Sequence, residues 1–317
     1  MNLRNRHFLK LLDLSPTELE QIVQSTLTLR TLRNCAQDRA ALKRRNLALC
    51  FCQSHPQNLW TAQSACAKQG ASGHHFGAGQ TGFEKDQPIA CNAQHLGRLF
   101  DAILLYGLDQ EKTEEVARLA GVPVCNLGSR EFEPLPVLAD FATMKSHSSK
   151  PLCDLSLVLL GDGTTNISRS LLVGASKLGL DLRFCGPSKL QPDETLIETC
   201  TALAAETGAQ IRIFDEPEEA VKGADYVYSQ TWNTNKKDVK KLLPYRATGD
   251  LLSRSGHGLC KLLHRLPQLV ESGLAEELEL DGLEVSRDLF DSAANLAFEQ
   301  AEYQLFCTEA VLISLLA

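Results

Sequence analysis

The chain switches repeatedly between short apolar runs and longer stretches in which apolar residues return every three or four positions. The first pattern predicts buried strands and the second predicts amphipathic helices. Ser15-Pro16-Thr17-Glu18 opens the first helix with a capping Ser, a Pro at the first helical position and a Glu placed to close a capping box, followed by Leu19, Ile22, Val23 and Leu27 on one face. A strand is then expected over 47–52, a helix from Asn58 to Lys68, a Gly-rich loop from Gly70 to Gly82, a helix near Ala90 to Phe100 and a strand at Ala102 to Tyr106. Glu111 to Ala120 reads as a helix ended by Gly121, Val122 to Val124 as a short strand, and Pro134 to Ser146 as a helix.

His147-Ser148-Ser149-Lys150-Pro151 breaks this rhythm, and we place a domain boundary there. Strand Leu155 to Leu160, loop Gly161 to Asn166, helix Ile167 to Leu178 and strand Asp181 to Cys185 then form a clear βαβ unit. Strands at Gln210 to Phe214 and Tyr226 to Ser229 follow, and an amphipathic helix from Asn295 to Leu316 closes the chain. The expected fold class is therefore α/β, with two doubly wound parallel-sheet domains: 1–149 together with the closing helix of 292–317, and 150–291. Ligands in such sheets sit beyond the carboxyl ends of the strands, here the loops after Phe51, Leu160, Ser229 and Leu263.

Composition narrows the function classes. A length of 317 residues suits two domains, and 44% hydrophobic with 22% charged residues suits a soluble chain. The formal charge of −7 argues against a general nucleic-acid binder. No apolar run reaches membrane-spanning length and the N-terminus lacks a signal-peptide core, so a cytoplasmic protein with no membrane partner is expected. The eleven cysteines lack C-x-x-C spacing and read as buried free thiols. Cys50, Cys52 and Cys66 with His55, His74 or His75 fit no common metal template, so neither a metal nor a cofactor is expected.

The turn Gln53-Ser54-His55-Pro56-Gln57-Asn58 joins the first strand to a helix N-terminus, a place suited to phosphate. One hydroxyl and no positive charge make it a poor phosphate cradle. Its neighbours supply context. Arg6-His7-Phe8-Leu9-Lys10-Leu11-Leu12-Asp13, Leu96-Gly97-Arg98, Ala139 to Met144, Gly161-Asp162-Gly163, Gly179 to Arg183, Gly223-Ala224-Asp225 and Phe298 to Glu302 together resemble ornithine carbamoyltransferases, collinearly along the chain. The resemblance implies one domain for carbamoyl phosphate, one for the amino acid, and a homotrimer.

Residue by residue, the resemblance also implies a damaged phosphate site. The family's S-T-R-T-R loop falls on His55, Pro56, Gln57, Asn58 and Leu59, and a lysine reaching in from a neighbouring subunit falls on Asp86, beside Lys85. A later Arg falls on Tyr106, the H-P-x-Q motif on Glu133-Pro134-Leu135-Pro136, and an Arg of the last helix on Gln304. Losing three or four charged contacts removes roughly 5–10 kcal/mol from the binding of a dianion. In the amino-acid half Asn166 is retained, although it also suits a helix cap; Thr234 replaces a Ser, Gln230 an Asp, and Asn235 belongs to an altered S-M-G. The H-C-L-P motif reads His264-Arg265-Leu266-Pro267, which puts a cation where the ornithine side chain would lie. Three readings follow: a non-catalytic paralogue acting by binding, with an arginine-metabolism enzyme or an amino-acid-like ligand as partner; a transferase with an altered substrate pair; and residual ornithine carbamoyltransferase activity in which Lys85 and Arg265 substitute for lost cations.

Overall fold

The computed structural model describes residues 3–37, 39–84, 88–232, 236–256, 258–267 and 273–317. Contacts divide the chain into two compact units, Met1–Ala142 with Tyr303–Ala317, and Thr143–Glu302. In chain order the elements up to the junction are α1 (Pro16–Asn34), β1 (Asn46–Phe51), α2 (Pro56–Lys68), β2 (Ser72–Phe76), α3 (Ile89–Leu99), β3 (Ala102–Tyr106), α4 (Gln110–Ala120), β4 (Val124–Gly128) and α5 (Pro134–Ser146). Those after it are β5 (Ser156–Leu160), α6 (Asn166–Leu178), β6 (Asp181–Cys185), α7 (Glu194–Thr207), β7 (Gln210–Phe214), α8 (Pro217–Ala220), β8 (Tyr226–Ser229), α9 (Lys236–Leu242), α10 (Gly249–Ser253), β9 (Lys261–His264), α11 (Gly273–Glu277), α12 (Arg287–Phe290) and α13 (Ala297–Leu316).

Among the described residues the first unit holds a parallel sheet in the order β2-β1-β3-β4, and the second a parallel sheet in the order β7-β6-β5-β8-β9. Both are doubly wound: chain direction across the sheet reverses between β1 and β3 and between β5 and β8, which puts the ligand-accepting crevices beside Phe51 and Tyr106 in one sheet and Gly161 and Gln230 in the other. Leu47 to Phe51 stand in register with Ala102 to Tyr106. Side chains of β1, β3 and β4 pack under α3 and α4 through Ile103, Leu105, Ala93, Val116 and Val124.

Local chemistry explains most element ends. Glu18 N–H donates to Ser15 Oγ, and Ser15 N–H donates to the Glu18 carboxylate, so the capping box starts α1 as expected. Gly121 closes α4 at φ 71°, where a side chain would be strained.

Two expectations are corrected. Gly70 to Gly82 is not all loop, because Ser72–Phe76 pairs with β1 as an edge strand. The strand expected at Val122 to Val124 instead begins at Val124, because Pro123 donates no ladder hydrogen bond. The outer edge of β4 is covered by the N-terminal segment: Phe8 N–H donates to Val124 O, and Asn126 N–H donates to Phe8 O, both at 2.8 Å.

The sequence places the domain break near residue 150, whereas the contact-defined units part after Ala142. The Tyr226 hydroxyl donates to Met144 O at 2.8 Å, which ties the end of α5 to β8 within the second unit. His147 likewise pairs with Glu299 at 2.8 Å, on the first turn of α13.

Candidate functional site

In the first unit the sheet delivers Phe51, Tyr106 and Gly128 to one end, and α2 starts just beyond β1. A helix N-terminus offers unused backbone donors to an anion. Here one of them is capped internally and another is missing. His55 is the cap: its Nδ1 accepts the Asn58 N–H at 3.2 Å, and its carbonyl accepts the Leu59 N–H at 3.1 Å. Pro56, at the first helical position, has no N–H to give. The His55 ring centroid lies 4.9 Å from that of Tyr106, which in turn stacks on Phe51 at 5.4 Å.

Behind the cap sits a chain of amides and a carboxylate. Asn58 is buried and donates through Nδ2 to Glu133 Oε1 at 3.2 Å and to Leu127 O at 3.4 Å. Gln304, on α13, donates to Asn58 Oδ1 at 2.8 Å. Glu133 is only 4% exposed. Glycine at 128 makes room for this arrangement, because a Cβ there would stand 2.7 Å from the Tyr106 ring and 3.1 Å from Glu133 Oε1. His55, Pro56, Asn58, Tyr106, Glu133 and Gln304 are thus gathered at one end of the sheet, with Gln57 and Pro136 in the opening turns of α2 and α5. Asp86 and Lys85 lie outside the described residues.

The nearby thiols are buried. Burial, then the Glu84 carboxylate, pushes Cys52 up to about 12, and burial pushes Cys66 up to about 12 and Cys50 higher still. No group of three or more His, Cys, Asp or Glu able to hold a metal occurs among the described residues.

In the second unit Thr165 caps α6, accepting the Ser168 N–H at 3.1 Å, so the capping role weighed for Asn166 belongs to its neighbour. Asn166 Oδ1 accepts the Ile167 N–H at 2.9 Å. Both ends of Gln230 are engaged: Oε1 accepts from Thr165 Oγ1 at 2.7 Å, while Nε2 donates to Ser168 Oγ at 2.7 Å and to Asp162 O at 3.2 Å. An amide at 230 therefore braces the loop after β5.

His264 ends β9 fully buried, and its backbone N–H donates to Gln300 Oε1 at 2.7 Å. Its Nε2 stands 3.2 Å from Glu284 Oε1, with both side chains inaccessible. The contact is close enough for an ion pair but not directed as a hydrogen bond. Glu284 was not legible in the sequence; it lies in no motif, and only the fold brings it to His264. Arg265 follows, half-buried, and Thr231 Oγ1 donates to Pro267 O at 2.8 Å, fastening the turn. Thr234 and Asn235 lie outside the described residues.

Residues 6–146 match the family described as aspartate/ornithine carbamoyltransferase, carbamoyl-P binding domain, and residues 153–315 match its Asp/Orn binding domain. The chain belongs to the aspartate/ornithine carbamoyltransferase family. A catabolic ornithine carbamoyltransferase of Chromobacterium violaceum is 35% identical, covering 99% of this chain and 98% of the relative. An ornithine carbamoyltransferase of Actinobacillus pleuropneumoniae is 34% identical over 100% of this chain and 99% of its own. The structure of the ornithine carbamoyltransferase from Pyrococcus furiosus superposes with a TM-score of 0.90 at 27% identity, covering 100% of this chain and 98% of the other. The carbamoyltransferase fold expected from the sequence is thus present in both halves, and the residues gathered at the first sheet's end are those of its carbamoyl-P binding domain.

Proposed function

We propose that this carbamoyltransferase-family chain is a non-catalytic paralogue that forms a homotrimer and acts by binding an amino-acid-like ligand or a protein partner. One observation carries the reading: at the N-terminus of α2 His55 occupies the Asn58 N–H and Pro56 has none to give, and the buried Asn58 behind it bonds Glu133 and Gln304. A dianionic phosphate would have to displace the His55 cap and settle beside a buried carboxylate, at a helix end stripped of one donor by proline.

Similarity along the whole chain, taken by itself, favours a second reading, ornithine carbamoyltransferase activity, over the non-catalytic one. It would draw its cations from Arg265 and Lys85. The two readings part in one assay. Purified protein supplied with carbamoyl phosphate and ornithine is expected to form no citrulline above background, and neither compound is expected to raise its melting temperature. Turnover on the order of one per second, an ordinary enzyme rate, would establish the second reading and end the first.

A further inference from the structure

The first unit also holds an open cavity of about 460 Å³ at the end of its sheet opposite the candidate site. Arg45, Asp101 and Pro123, which line it, immediately precede β1, β3 and β4, while Phe100, Gly121 and Leu316 stand where α3, α4 and α13 end. Its volume lies within the range of small-molecule sites, about 300–1,000 Å³. The lining is of two kinds. Phe100 and Val122, both half-buried, and the buried Leu315 and Leu316 are apolar. Arg4 and Arg45 add two guanidiniums, and Asp101 a single carboxylate.

We infer that this cavity binds a small organic monocarboxylate with an apolar body. The head of Arg45 is fixed in place, because Nη1 donates to Asp101 Oδ1 at 2.7 Å and Nη2 to Leu316 O at 3.1 Å. A guanidinium has five N–H donors, so these bonds leave donors for a further acceptor. Asp101 does not claim them: its other oxygen accepts the Asn46 N–H at 2.8 Å. Charge sets the sign of the ligand. Two guanidiniums less one carboxylate leave a formal +1 around the cavity, in a chain whose formal charge is −7. One negative charge matches that excess, whereas a dianion would exceed it and stand beside Asp101. The helix ends that meet here carry partial negative charge, which by itself would draw a cation. Arg45 already takes Leu316 O, however, and a cation bound here would face two guanidiniums. The apolar lining supplies the second requirement, since only a ligand with a hydrocarbon body gains by leaving water for it. The inference goes beyond the proposed function and does not rest on it, because no residue of the candidate site lines the cavity.

The test is isothermal titration calorimetry of the full chain with 3-phenylpropionate, indole-3-acetate and hexanoate as probes. At least one is expected to bind with a Kd below about 1 mM, and at least about tenfold more tightly than its neutral amide, acetate or phenethylamine. Val122→Trp fills the cavity and leaves the Arg45–Asp101 pair in place, and it is expected to abolish binding with its circular dichroism melt retained. Arg4→Gln, at an exposed side chain, is expected to weaken binding at least about fivefold, and it decides the matter alone if Val122→Trp fails to fold. Gln57→Ala, in the candidate site at the far end of the sheet, is expected to leave binding unchanged. No binding of any probe up to about 10 mM, an amide or amine that binds as well, folded variants of wild-type affinity, or a Gln57→Ala effect as large as theirs would overturn the inference. Citrulline formation, measured separately, bears only on the proposed function.

Discussion

Replacing Asn58 with Ala tests whether the first-unit site is a self-satisfied network. Asn58 is 3% exposed and joins three groups: it donates to Glu133 Oε1 and Leu127 O, and accepts from Gln304 Nε2. Removing it takes one hydrogen bond from a buried carboxylate and one from an amide donor. A hydrogen bond to a buried charged group contributes about 1.5–3 kcal/mol and a neutral one about 0.5–1.5. Gln304 is only half-buried, so water recovers part of its loss. Taking about 3 kcal/mol for Glu133 and about 1 for Gln304, less about 0.5 for the better helix propensity of Ala, gives a net loss of about 3.5 kcal/mol. For a unit of this size that lowers the melting temperature by roughly 7–14 °C. Urea unfolding followed by the fluorescence of Trp60, in a Trp232→Phe background that silences the second unit, reads the effect where it arises. Combining Asn58→Ala with Glu133→Gln should recover part of the loss, because the carboxylate that lost the Asn58 donor is then gone. A loss below about 1 kcal/mol, or no coupling with Glu133→Gln, would show that the network does not hold the site closed.

Three further outcomes are expected. Arg33→Met should destabilise the first unit by about 3–5 kcal/mol in the same urea assay, since Arg33 makes two 2.8 Å bonds to Glu309, a carboxylate with no exposed surface that also accepts from Gln69. Burial works to raise Asp225, but the Lys150 ammonium at 2.6 Å and the Ser156 N–H at 3.0 Å hold it below the ordinary carboxylate range. Its contribution is therefore present above about pH 4 and lost as pH falls through the lower folded value, so the stability gap between wild type and Asp225→Asn should shrink on acidification. With a thiol reagent near neutral pH, the exposed Cys35, Cys91 and Cys153 should react in the native protein, and the remaining eight of the eleven cysteines only after unfolding; rapid labelling of all eleven would contradict their burial.

The chain declares its fold wherever burial is one-sided or complete. The capping box at Ser15, the apolar β1, β3 and β5, and the Gly121 helix stop could all be read directly, because each follows from a local rule. β2 escaped because Ser72 to His75 are exposed, so no apolar pattern marks a strand that exists through its pairing with β1 alone. β4 was misplaced because its central residue is Asn126, a buried amide donating to Leu9 O at 2.8 Å, a partner far away in sequence. The site divides in the same way. The missing cations at Gln57, Tyr106 and Gln304 were legible as residue types. That His55 would cap its own helix, that Asn58 would bridge Glu133 and Gln304, and that Glu284 would stand against His264 depended on three-dimensional neighbours.

The division of the chain also sets the order in which it can fold as it leaves the ribosome. The first unit comprises Met1–Ala142 and Tyr303–Ala317, so its last piece is translated after the whole of the second unit. Until then Arg33 and Gln69 lack Glu309, Arg30 lacks the Tyr303 hydroxyl at 2.8 Å, and the Leu3 N–H lacks Ser314 O at 2.9 Å. The second unit is contiguous and can close its core first. The nascent first unit must wait with its helix-binding surface open, and the step that finishes it joins residues more than 270 positions apart, as between Arg30 and Tyr303. Loss of the final turns of the closing helix during synthesis would therefore leave the part made earliest as the part unable to fold.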